Sequence, residues 1–163
     1  MKIAIGSDEK THLTDYVVNE VQRRGHEVQL VGPLAVDDPD SDWPVVSSRV
    51  AETVARGEAD QGIVFCWTGT GASIAANKIP GIRAALVHDA ETARGARIWN
   101  HANVLALSLR ATPEAVAREI LDAWFITPTN EGEAQTPWNL AQIERIHQLD
   151  HRATPIQNPK SKI

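Results

Sequence analysis

Short apolar runs alternate with amphipathic stretches along this chain, and that alternation limits its possible folds more than any single residue does. KIAIG (2–6) reads as a strand. The stretch 11–24 follows, with Leu13, Val17, Val18 and Val21 at helical spacing and Gly25 as its stop signal. HEVQLVG (26–32), QGIVFC (61–66), IRAALV (82–87) and NVLALS (103–108) read as four more strands. The stretch 33–43 is an Asp- and Pro-rich loop, and Pro44 opens a helix through about Ala55, with Val46, Val50 and Val54 on one face. Segments 71–79 and 90–99 are helical, Pro113 starts a further helix, and Pro137 starts a last one through about His147. Strand followed by helix, repeated and closed by an extra C-terminal helix, predicts a three-layer α/β sandwich. A five-stranded parallel sheet would carry helices on both faces. One α/β domain is expected over 1–152, followed by a polar, Pro-containing tail at 153–163.

Composition narrows the class. Apolar residues are 42% and charged residues 23% of the 163, a balance that supports a buried core. With 16 Lys+Arg against 21 Asp+Glu the net charge is −5, and no basic block is present. Neither a nucleic-acid backbone nor an anionic membrane surface is therefore the expected partner. The apolar runs are too short to cross a bilayer. MKIAIGSDEK lacks the layout of a signal peptide, because Asp8 follows its short apolar stretch directly. The single cysteine, Cys66, cannot form an internal disulfide, so a reducing cytoplasm is the expected compartment. The histidines are scattered. His147 and His151 are spaced i, i+4 without a facing carboxylate or Cys, and no metal site is expected.

In an open parallel sheet, ligands bind beyond the C-terminal ends of the strands. Ser7-Asp8-Glu9, Asp42-Trp43, the run from Cys66 to Gly71, His88-Asp89 and Ser108-Leu109-Arg110 stand there. The segment CWTGTGASIAANK (66–78) is the most informative. Its glycines, set among small hydroxyl residues, let the backbone turn tightly and aim successive N–H groups into one space at a helix start. That geometry suits a phosphate, a carboxylate or an enolate, although the same glycines suit a ligand-free strand-to-helix turn. Cys66 ends a strand facing this loop. It is either an inert buried hydrophobe or a base or nucleophile whose negative charge the helix start favours. Thr68 can donate a hydrogen bond to it or to a substrate oxygen. Asp8 either caps a helix or serves the ligand edge. Trp124 and Trp138 fall in amphipathic helices and read as packing. Trp43, Trp67 and Trp99 fall near strand exits or loops, where an indole face can pack on the C–H face of a sugar or on the core.

KIAIGSD (2–8), GEADQGIVFCWTGTGASIAANKIPGIRAAL (57–86), NHANVLAL (100–107) and Glu131-Gly132 together resemble the sugar-phosphate isomerase family that contains ribose-5-phosphate isomerase B and the galactose-6-phosphate isomerase subunits. The resemblance spans residues 1–146. It implies a Rossmann-like α/β fold and a homodimer or dimer of dimers, with active sites at the interface built from both subunits. It also implies aldose–ketose interconversion of a small sugar or sugar phosphate without metal or organic cofactor. On this resemblance Cys66 is the base that moves a proton between C1 and C2 through an enediolate, assisted by Thr68. The backbone of Gly69, Thr70, Gly71, Ala72 and Ser73 holds the developing oxyanion. Asp8, grouped with Cys66 and Thr68 as catalytic, lines the sugar site with Trp43 and Trp67. Trp99 and Asn100 complete it, with Asn100 reaching in from the partner chain. Arg145 is the counterpart of one phosphate-binding arginine.

The departures from the family pattern concern phosphate binding and ring opening. Asp8-Glu9 stands where the family commonly has Asp-His, Trp43 where it has Tyr, and Trp67 where a Gly follows the Cys. Trp99 replaces a His that opens the furanose ring. Glu131-Gly132-Glu133-Ala134-Gln135 replaces a basic EGG-Arg-His stretch. A phosphate near Glu9 and Glu133 would meet repulsion. His101, two residues from Trp99, could take over ring opening only if the backbone there is extended. Two readings follow. One is an isomerase whose preference has moved away from ribose 5-phosphate: an open-chain sugar phosphate needs no ring-opening His, and an unphosphorylated sugar needs no arginine pair. The other is a non-catalytic sugar-binding or regulatory relative, against which the retained Cys66 argues.

Overall fold

The computed structural model describes residues 1–151, so the expected tail at 153–163 lies outside the described residues. The strands are β1 (Lys2–Ser7), β2 (Glu27–Val31), β3 (Gln61–Cys66), β4 (Ala84–Leu86) and β5 (Val104–Ser108). The helices are α1 (His12–Arg23), α2 (Trp43–Ala55), α3 (Thr70–Ala76), α4 (Ala90–Asn100), α5 (Glu114–Ile126) and α6 (Pro137–Asp150). All strand pairs are parallel, in the order β2-β1-β3-β5-β4. The chain runs from β1 outward to β2, then returns across β1 to β3. The strand order therefore reverses between β1 and β3, the place where the ligand crevice of an open α/β sheet forms, at the carboxyl ends of the strands.

The sheet is two-sided in side-chain size. Ile3, Ile5, Ile63, Phe65, Leu105 and Leu107 face α1, α4 and α5, while Ala4, Val64, Cys66, Val104 and Ala106 face α2 and α3. This is the strand period of two, written as large residues on one face and small ones on the other. The small face brings α2 close. A Cβ on Gly6 would lie 2.7 Å from Val50 Cγ2 and 2.8 Å from Val46 Cγ1. Gly6→Ala is therefore expected to push α2 outward and cost about 1–3 kcal/mol, read as a lowered urea midpoint with an unchanged slope.

Local differences from the expected elements have identifiable causes. α3 ends at Ala76 rather than near residue 79 because the Asn77 side chain takes over: its Nδ2 donates to Ser73 O (3.0 Å) and Ala84 O (2.8 Å), and its Oδ1 accepts from Ala84 N (2.8 Å). β4 is shorter than 82–87 because Arg83 N donates instead to Asn103 Oδ1 (2.8 Å). Trp124 is buried, with its Nε1 donating to Gln61 Oε1 at 2.6 Å, as a packing role requires. Trp138 does not pack; it is 69% exposed near the start of α6. None of the helices is long and apolar enough to cross a membrane among the described residues.

Candidate active site

The crevice between β1 and β3 collects the first group of expected residues. Ser7 is level with Phe65 across the pair, so Asp8 and Cys66 leave the sheet side by side. Cys66 is 5% exposed, on the α2/α3 face. Its carbonyl accepts from Gly69 N (3.1 Å) and Leu109 N (3.0 Å), which folds the loop back over the strand end. Its Sγ accepts from Ala72 N at 3.4 Å. The sulfur is thus turned toward the first turn of α3.

That turn is built on Gly69, the residue before α3, at φ 76°. Of the five amides expected to cradle an anion, three are engaged: Gly69 N by Cys66 O, Ala72 N by Cys66 Sγ, and Ser73 N by Gly69 O at 3.0 Å. Thr70 and Gly71 carry the amides left free of main-chain partners. The Ser73 hydroxyl points away, to Ala84 O at 3.4 Å. Thr68 and Trp67 are exposed beside the loop, and the Trp67 carbonyl accepts from Ser108 Oγ (2.9 Å) and Arg110 N (3.1 Å). Trp43, the first residue of α2, lies over Gly71: a Cβ there would sit 3.0–3.3 Å from indole Cε3, Cζ3 and Cδ2. The loop that delivers Trp43 is latched by Arg49, whose Nη1 reaches Asp38 Oδ1 (3.0 Å) and Asp40 Oδ2 (2.9 Å). Arg49 and the Gly32 N–H together hold the Asp38 carboxyl down at about 2. The Arg49–Asp38 pair is complete above the ordinary carboxylate range and is lost as pH falls through about 2.

The Asp8 carboxyl is pushed upward from its ordinary value, mainly by burial and further by Glu9, against a lowering backbone hydrogen bond. Its Oδ1 is buried without a hydrogen-bond partner. A carboxyl so placed takes up a proton more readily than a solvated one. The adjacent strand exit carries a sulfur and two amides free of main-chain partners, the kinds of group that can move a proton on a carbon next to a carbonyl and carry the resulting oxyanion.

The second group of expected residues is not brought to this crevice within one chain. Trp99 packs on Gly95 and lines a groove of about 430 Å³ with Ala85, Leu86, Thr92 and Asn100, between β4 and α4. Arg145 lies on the outer side of α6, donating to Gln142 Oε1 at 2.8 Å. Glu133 lies in a 3-10 turn (Gly132–Gln135) against α4, away from Glu9. His101 does not replace the missing ring-opening histidine. The helix runs to Asn100, so the backbone is not extended, and His101 (φ 47°) turns its Nε2 to Ala134 O at 2.9 Å.

One strand-exit residue was given no role by sequence reasoning. Arg110 follows β5, is tied to the Trp67 carbonyl through its N–H, and is exposed with no carboxylate at ion-pair distance among the described residues. The signal was its being the sole arginine among the strand-exit residues. Among the described residues, no group of three His, Cys, Asp or Glu is placed to hold a metal ion.

Residues 3–140 match the family described as Ribose/Galactose Isomerase. The D-erythrulose-4-phosphate isomerase 2 of Mycolicibacterium smegmatis is 38% identical over 128 residues, covering 77% of this chain and 84% of its own length. The ribose-5-phosphate isomerase B of Escherichia coli is 36% identical over 152 residues, covering 93% and 97%. The solved structure of Clostridium thermocellum ribose-5-phosphate isomerase B superposes with a TM-score of 0.80 at 37% identity, over 92% of this chain and 97% of that one. With the same parallel sheet and most of the sequence matched, this chain belongs to the ribose/galactose isomerase family of sugar-phosphate isomerases, which interconvert aldoses and ketoses.

Proposed function

We propose that this chain isomerises a short phosphorylated sugar, with Cys66 as the base that carries the proton between C1 and C2. The observation that carries this reading is the Ala72 N–H donated to Cys66 Sγ at 3.4 Å, inside the crevice where the strand order reverses. Negative charge on the sulfur is met there by a main-chain donor. The Thr70 and Gly71 amides then face the oxygen on which charge develops as C–H opens to an enediolate. Thr68 hydrogen-bonds the same oxygens, and Asp8 passes a proton between O1 and O2. Trp43 and Trp67 give the sugar its apolar walls, and Arg110 supplies positive charge for the phosphate.

The substrate follows from what is absent at the ring-opening position. A four-carbon sugar esterified at O4 has no hydroxyl left to close a five-membered ring on C1. It reaches the enzyme open and needs no acid–base pair to open it. Trp99 and the engaged His101 suit such a substrate, and the Mycolicibacterium smegmatis relative is named for one. Trp99, Asn100 and Arg145 serve the crevice of a second copy in this reading, which makes the active unit a homodimer. A reducing cytoplasm keeps Cys66 a thiol.

The test is a panel of four- to six-carbon aldoses and ketoses, with and without phosphate, followed by NMR in D₂O. Incorporation of deuterium at C2 is expected, with kcat/KM for the four-carbon phosphate at least about a hundredfold above that for ribose 5-phosphate. Comparable turnover of ribose 5-phosphate would overturn the substrate reading, and absence of exchange with every sugar would overturn the isomerase reading.

A further inference from the structure

We infer that Trp43 is a positioning residue: its indole clamps the Gly71 turn so that the Thr70 and Gly71 amides keep their aim. This rests on the isomerase reading above and adds a role that substrate contact alone does not include. Three indole carbons, Cε3, Cζ3 and Cδ2, lie 3.0, 3.1 and 3.3 Å from where a Gly71 Cβ would be. The six-membered ring is therefore seated against the Gly71 α-carbon, closer than a side chain would allow. Gly71 is not in the left-handed region, so the demand for glycine here comes from the ring and not from the backbone. Both ends of the contact are anchored. α2 packs along α3 and on β1 and β3, and the Arg49 latch fixes the loop before Trp43. The free amides belong to the residue under the ring and its immediate neighbour. Loss of the ring leaves the turn held by its own hydrogen bonds, from Gly69 N, Ala72 N and Ser73 N, none of which involves the Thr70 or Gly71 amide.

The geometry makes the two positions interdependent, which a simple sugar contact would not. Trp43→Ala is expected to lower kcat between about ten- and a hundredfold, a loss larger than the rise in KM that the missing sugar contact brings, because the donors act on the transition state. Trp43→Phe keeps a flat ring and should retain most of kcat. Gly71→Ala should also lower kcat, by forcing ring and turn apart, but should cost less than about twofold when added to Trp43→Ala. Thermal melting of the same four proteins reads the contact independently of catalysis. Gly71→Ala should lower Tm by about 2–4 °C in the parent and by much less once residue 43 is Ala.

Two results would overturn the clamp: a Trp43→Ala protein whose KM rises with kcat unchanged, or a Gly71→Ala loss in kcat and Tm that is the same in both backgrounds. If the parent exchanges no C2 proton at all, the isomerase reading fails by that result. The melting cycle still decides whether ring and turn are coupled.

Discussion

Cys66→Ala is expected to lose exchange of the substrate C2 proton with solvent, with kcat/KM falling between about 10² and 10⁴, the contribution of a positioned general base. The protein should still fold. The site is 5% exposed and packed against Ala72 and its neighbours, so removing one sulfur leaves only a small void and costs about 1 kcal/mol. Cys66→Ser separates shape from chemistry. The hydroxyl can still accept the Ala72 N–H, but it is a far weaker base than a thiolate, so this protein should melt near the parent and remain inactive. Exchange that persists in Cys66→Ala would move the base to Asp8, the other proton acceptor at the crevice, and Asp8→Asn in that background would then have to remove it. The decisive measurement is the C2–H signal in D₂O, not product formation, because it reports the proton transfer itself.

The sheet was legible because short apolar runs between amphipathic stretches mark its strands. Its sidedness, with Ile3 and Ile5 on one face and Ala4 on the other, is read from the structure. The crevice was legible for a related reason: in a parallel sheet the strand-exit residues share one edge, so Asp8, Trp43 and the loop after Cys66 could be grouped before their distances were known. Three further things were not legible. The end of α3 depends on the Asn77 side chain bridging Ser73 and Ala84, which no periodicity records. Which amides of the loop are free depends on Ala72 N turning to the Cys66 sulfur, a detail of one turn's geometry. Trp99 and Arg145 stand at positions that the resemblance assigns to the site, yet α4 and α6 place them away from the crevice of their own chain, as Asn100 was already expected to be. Local pattern says nothing about which protomer a residue serves. Trp138 was misread for a simpler reason: helical spacing identifies a helix, but not whether anything covers its outer face.

Gly69→Ala is expected to damage both stability and activity, and a second glycine shows why. Gly69 and Gly81 have nearly the same φ, +76° and +82°, a value that L side chains rarely adopt. At Gly81 a Cβ would meet nothing within 4 Å. Gly81→Ala should therefore cost only the left-handed conformation, about 1–2 kcal/mol, and leave kcat near the parent value. At Gly69 the Cβ would lie 2.6 Å from Leu86 Cδ1, 2.9 Å from Leu107 C and 3.0 Å from Leu107 O. Leu86 can swing away, but the backbone of β5 cannot, because Leu107 is paired with Phe65 of β3. The loop must move instead, and with it Gly69 N, which anchors the turn to Cys66 O, and the carbonyl that accepts Ser73 N. Overpacking of this kind adds about 1–3 kcal/mol to the conformational cost. It also shifts the Thr70 and Gly71 amides from their aim, for which a loss of at least about a hundredfold in kcat is expected. Urea unfolding and kcat measured on both alanine variants separate the two effects. A Gly69→Ala protein no worse than Gly81→Ala in either measurement would mean that the loop after Cys66 tolerates displacement, and that its amides are not the groups that carry the oxyanion.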